Sequence, residues 1–126
     1  MFSEEMKALC SAMEALGMEL ATSALTLGEI LVQPLRAGRQ ELAEGYAEAL
    51  QRLVLIPFDA AAASHFGALR ATHPSMRPPD ALQVACAIAA NCELFLTNDR
   101  RLAAFHTGAS LRIQSLADWY EQTRRG

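Results

Sequence analysis

Three of the fourteen acidic residues in this sequence stand apart by where they fall: Glu29, Asp80 and Asp99. Glu29 interrupts the apolar segment Ala24-Leu25-Thr26-Leu27-Gly28-Glu29-Ile30-Leu31-Val32. A charge there is costly unless it is paired or bound to a cation; a glutamate at the edge of a helix face, looking at solvent, satisfies the same pattern. Asp80, in Arg77-Pro78-Pro79-Asp80-Ala81, follows a proline that fixes a helix start. Its carboxylate then lies in the first turn, near unpaired backbone N–H groups, and favouring the helix dipole is explanation enough for a lone aspartate. Asp99, in Leu96-Thr97-Asn98-Asp99-Arg100, comes just past the end of an apolar strand. Helix capping would place an aspartate there, but ligands of open parallel sheets also gather at the carboxyl ends of strands. Taken singly, each acid has a structural explanation; the combination is what suggests chemistry.

The other acids read as scaffold. Glu41, Glu44 and Glu48 fall on the wet face of a helix, Glu14, Glu93 and Glu121 are surface charge, Asp59 is a cap, and Asp118 caps or flanks a final turn. His65, His73 and His106 show no pairing with a nucleophile, which argues against a histidine-driven reaction. Cys10, Cys86 and Cys92 form an odd set without the spacing of a zinc site, and read as free thiols of a reducing compartment.

Alternating elements must carry these residues. Ser3 to Leu16 reads as a helix, with Glu4 and Glu5 at its start and Gly17 as its stop. A short extended segment near Glu19 to Thr22 leads to a helix capped by Ser23 that bends or ends near Pro34. Gly28 costs that helix stability and is read as admitting another backbone. Residues 40 to 52 form a third helix with Leu42, Tyr46, Ala49, Leu50 and Leu53 inward. The run Leu53 to Phe58 is an apolar strand, and Asp59 caps a helix that passes through Phe66 and Leu69 and ends before Pro74. Pro79 opens a helix running to about Asn91. Leu94 to Thr97 is a buried strand, Asp99 begins a short helix, Leu111 to Ile113 is an edge strand, and Leu116 to Tyr120 closes with a helical turn. Strand–helix alternation predicts an α/β fold, a small parallel sheet flanked by helices.

At 126 residues the chain has room for one domain, and its 52% hydrophobic content is ample for a core. No apolar run approaches the roughly 20 residues that cross a bilayer, and the N-terminus lacks the basic-then-apolar order of a secretion signal. A soluble cytoplasmic protein is therefore expected. The formal charge of −3 provides no global field to recruit nucleic acid. Ten of the eleven basic residues are arginine, the side chain best shaped to grip phosphate, although a codon bias would give the same skew.

The succession S-A-L-T-L-G-E-I-L, R-P-P-D-A-L-Q-V-A-C-A and L-F-L-T-N-D-R-R-L resembles the PIN-domain nucleases, in particular the VapC-type toxins of bacterial toxin–antitoxin pairs. The resemblance spans nearly the whole chain, read as one PIN-like domain over residues 1–126. It implies that Glu29, Asp80 and Asp99 match the second, third and fourth acids of a cluster binding Mg²⁺ or Mn²⁺, with Thr97 and Asn98 as its polar support. Hard divalent cations take carboxylate oxygens, and such an ion activates water for hydrolysis of an RNA phosphodiester. Arg36, Arg77 and Arg100, with Arg39 and Arg101, are then candidates for holding RNA phosphates, although Arg100 and Arg101 equally suit a solvated helix. The implied partners are an RNA substrate, a cognate VapB-like antitoxin and a second copy of the chain.

The sequence departs from the family at its start. Members open with a hydrophobic strand ending in an aspartate, the first metal ligand, and no such segment precedes Ser3. The expectation is a PIN-like fold without its usual central first strand, and weak or absent nuclease activity. A shortened gene, a start assigned too far downstream, or a dimer with exchanged elements would each account for the gap. The competing function is a catalytically inactive PIN-like interaction module. An unrelated hydrolase finds no support, since neither G-x-S-x-G nor G-x-x-x-x-G-K-[ST] occurs.

Overall fold

The computed structural model describes residue 11 and residues 14–125. Their order is β1 (Ala21–Ser23), α1 (Ala24–Arg36), α2 (Gln40–Gln51), β2 (Val54–Ile56), α3 (Ala60–Thr72), α4 (Pro78–Ala89), β3 (Leu94–Thr97), α5 (Arg100–Ala103), β4 (Arg112–Ser115) and α6 (Leu116–Arg125). Most of the helix expected over residues 3–16, with Glu4, Glu5 and Cys10, lies outside the described residues. Its end is described: Glu14 and Ala15 are helical, and Gly17, at φ 68°, closes the turn by donating its N–H to the Glu14 carbonyl at 3.1 Å. The α/β class and the parallel pairing are as expected, in two two-stranded sheets. The chain forms two compact units, Met1–Pro57 and Phe58–Gly126.

In the first unit β1 and β2 pair in parallel, Ala21 opposite Val54 and Ser23 opposite Ile56. Ser23 caps α1 as expected, its Oγ accepting from the Thr26 N–H at 3.2 Å. α1 ends near Pro34, as expected, though not on it. The helix runs on to Arg36 with Pro34 buried inside it, and Gly38, at φ 68°, supplies the left-handed turn that stops it. A proline in the last turn forfeits only one hydrogen bond, whereas a positive φ takes the backbone out of the helix. α2 packs against α1, burying Ala43 and Leu50, with Leu42, Tyr46 and Ala49 half-buried. The strand expected over Leu53 to Phe58 is only Val54–Ile56, because Pro57 offers no N–H to continue the ladder.

Gly28 does not receive another backbone: among the described residues, nothing lies within 4 Å of a Cβ built there. Its cost to α1 is therefore not offset by packing against any described residue. Gly28→Ala is expected to stabilise the protein by about 0.5–1 kcal/mol, read as a raised denaturant midpoint at unchanged slope.

The second unit is built around α4. Pro78, one residue earlier than expected, is its first residue, and Asn91, at φ 58°, follows its end. Ala81, Val84, Ala85, Cys86 and Ala87 are all buried. Small residues let α3 approach closely, and Leu69 of α3, Met76, Leu102, Leu111 and Ile113 complete the core. Asp59 caps α3 through a 3.0 Å bond from the Ala62 N–H. Burial, with the Asp59 charge adding to it, pushes the Cys86 thiol up, and burial alone does so for Cys92; both are free cysteines.

β3 matches the expected strand in its bounds but is half-buried, not buried, and it pairs in parallel with β4, Leu94 opposite Arg112 and Thr97 opposite Ser115. β4 begins one residue later than expected and extends to Ser115, burying Ile113 and Ser115 on alternate positions. α6 has 10 residues where a single turn was expected; Ser115 caps it, accepting from the Asp118 N–H at 3.1 Å, and Asp118 flanks the cap in the first turn.

Candidate metal centre

Two of the three expected acids meet in the second unit. Asp80 is in the first turn of α4, and Asp99 follows β3 as the N-cap of α5. Parallel pairing with β4 and the packing of α4 over this unit set the two side by side. Arg77 joins them. Its Nε donates to Asp80 Oδ2 at 3.1 Å and its Nη2 to Asp99 Oδ2 at 3.1 Å, a contact between residues 22 apart. The carboxylates are partly shielded, with side chains 25% and 27% exposed, while Arg77 is 60% exposed.

Asp99 is held on three sides. Its Oδ1 accepts the Arg101 N–H at 2.9 Å and lies 3.6 Å from Arg101 Nε, and its own N–H donates to Thr97 Oγ1 at 3.0 Å. The Arg101 backbone N–H is the main reason its carboxyl is held below the usual carboxylate value, with the Arg101 charge adding to it against a smaller cost of burial. A depressed carboxyl contributes stability that is complete above its unfolded pKa, about 4, and is lost as pH falls through the lower folded value. The melting-temperature difference between wild type and Asp99→Ala is therefore expected to be level from pH 7 to about 5 and to shrink below pH 4. A difference constant down to pH 2.5 would contradict this.

The acids open onto a cleft of about 400 Å³ with an apolar floor that includes Met76, Leu102 and Phe105, and with Arg77 and Arg101 among its polar lining. The segment carrying Arg77 is anchored from below. Met76 is 1% exposed, and Arg70 donates to the carbonyls of Pro74 and Met76. His73 packs its ring edge-on against Phe105, centroids 5.5 Å apart, a scaffold contact and no catalytic pairing.

Glu29 belongs to the first unit, where it is an exposed residue of α1. Among the described residues, no three His, Cys, Asp or Glu side chains are gathered as a metal site. The Asp80–Asp99 pair nonetheless suits a hard cation. Mg²⁺ keeps several waters and is commonly held by one or two carboxylates together with substrate phosphate. The two acids already converge on a positive group, which is what the chemistry of such a donor set requires. Of the other expected residues, Thr97 fixes the backbone at Asp99, Asn98 is exposed beside it, and Arg36, Arg39 and Arg100 are exposed.

Two contributors, Arg70 and Met76, escaped the sequence, and a third, Arg77, was singled out there for a different role. Arg77 was expected to face phosphate and here spans both acids; its spacing three residues before Asp80, across a proline-fixed helix start, was the available signal. Arg70 and Met76 gave none, since a methionine in a proline-rich loop reads as exposed.

Against known proteins, the model of the PIN domain family matches residues 3–106, a stretch that includes Glu29, Asp80 and Asp99. No curated protein matches the chain.

Proposed function

This chain belongs to the PIN domain family, and from that premise we propose that it is a Mg²⁺- or Mn²⁺-dependent endoribonuclease, the VapC-type toxin of a type II toxin–antitoxin pair. The observation that carries the reading is the convergence of Asp80 and Asp99 on one positive group at the rim of a cleft. PIN domains are generally metal-dependent nucleases, and these two carboxylates are the residues that would hold the ion. A divalent ion bound there supplies an activated water and offsets the charge that develops on the scissile phosphate. The protein's own part is positioning. Thr97 fixes the backbone at Asp99, the Arg101 N–H fixes its carboxylate, and Arg100, Arg101 and Arg36 offer guanidinium groups to RNA phosphates.

A cognate VapB-like antitoxin, a homodimer and a cytoplasmic location belong to the same proposal. No helix among the described residues is long and apolar enough to cross a membrane. Val32 and Leu35, 45% and 50% exposed at a three-residue spacing on α1, give that helix apolar surface of the kind partners cover.

The second reading, a PIN-like interaction module without chemistry, draws on the lack of a three-residue metal group among the described residues. Cleavage of a structured RNA separates the two. The nuclease cuts in Mg²⁺ or Mn²⁺, stops when the metal is chelated, and resumes on its return. No metal-dependent cutting at any protein concentration would leave the interaction module.

A further inference from the structure

We propose that Arg77 is a built-in counter-ion of the Asp80–Asp99 pair, one that a divalent cation must displace and that then turns to the phosphate of the substrate. The inference rests on the metal-dependent reading above and concerns how that centre is guarded. Two carboxylates directed to one place repel each other unless a cation lies between them. Here the guanidinium provides that charge, with Nε and Nη2 each 3.1 Å from a different carboxylate. A hard divalent ion needs the same oxygens, so the two cations compete for Asp80 and Asp99.

The geometry makes Arg77 displaceable. Its side chain is 60% exposed, so release returns the guanidinium to water and strands no charge in the interior. Its backbone, by contrast, is fixed between buried Met76 and the helix-initiating Pro78. A fixed backbone with a solvated head makes Arg77 a tethered cation, and it lines the cleft into which the acids open. The charges are set for exchange. Asp80 and Asp99 against Arg77 and Arg101 sum to zero, so the resting centre exerts little pull on metal. A divalent ion makes the same centre net positive, suited to a phosphodiester anion, with Arg77 beside it as a phosphate donor.

The test is Mn²⁺ binding by the whole chain, measured from the free-ion electron paramagnetic resonance signal, for wild type, Arg77→Gln, Arg77→Lys and Asp99→Asn. Arg77→Gln is expected to bind Mn²⁺ about 3–10-fold more tightly, the effect of removing one partly solvated positive charge. Arg77→Lys should stay near wild type, and Asp99→Asn should bind more weakly. A merely structural Arg77 predicts the opposite sign, because losing it would loosen the carboxylates and weaken binding. Equal or weaker binding by Arg77→Gln, with wild type binding Mn²⁺, overturns the counter-ion role and leaves the metal centre standing. Binding by Arg77→Gln alone supports the role, since the guard then excludes the ion entirely. No binding by wild type or by any Arg77 variant, all shown folded by circular dichroism, fails the metal reading itself, and this inference with it.

Discussion

Asp99→Asn is expected to lower metal-dependent RNA cleavage by about 10²–10⁴-fold while leaving the protein folded. The substitution removes one charge and keeps the shape. Asparagine caps a helix as well as aspartate does, so the Arg101 N–H at 2.9 Å retains an acceptor and α5 its start. What is lost is half of the anionic pair on which the ion depends. The electrostatic contribution of a metal centre to phosphoryl chemistry is several kcal/mol, and about 1.4 kcal/mol corresponds to a factor of ten. Asp80→Asn should behave alike, because Asp80 shares the pair through Arg77. Glu41→Gln, an exposed change on α2, serves as the control and should cut at the wild-type rate. Single-turnover cleavage at saturating Mn²⁺, beside thermal melts, separates the outcomes. Activity within about threefold of wild type in both aspartate variants would show that the pair is a scaffold contact only.

Met76→Ala is expected to cost about 2–5 kcal/mol of stability, the range for emptying a buried methionine site. Met76 is 1% exposed and packs in the cluster formed by Leu69, Val84, Ala85, Leu102 and their neighbours. Alanine would leave a cavity beneath the segment that presents Arg77, where Arg70 also bonds to the Met76 carbonyl. Met76→Leu nearly conserves volume and should cost less than about 1.5 kcal/mol. Urea unfolding followed by near-ultraviolet circular dichroism gives both values. Equal midpoints for Met76→Ala and wild type would mean that the site collapses without a void, contrary to its close packing.

The parts of the fold legible in the sequence are those with local causes. Ser23 and Asp59 are read as caps because a hydroxyl or carboxylate before an apolar periodic stretch has an N–H to accept, and both do so. β3 is recovered to the residue because Leu94 to Thr97 is a short apolar run between polar breaks. Pro34 marks the end of α1 to within two residues, and the exact stop is set by the positive φ of Gly38. α6 outruns the expected turn because Glu121 and Gln122 continue it as exposed polar residues, which leave no apolar periodicity in the sequence.

The sequence by itself placed Asp80 in the first turn of a helix and Asp99 after a strand, since proline and strand ends act within a few residues. Tertiary structure alone decided that these two acids share one guanidinium, that Met76 is core, and that no described residue packs against Gly28. The reason is range. Caps, breaks and periodicity follow from backbone geometry and neighbouring side chains, whereas the meeting of residues 77 and 99 follows from α3 and α4 packing together and from the parallel pairing of β3 with β4.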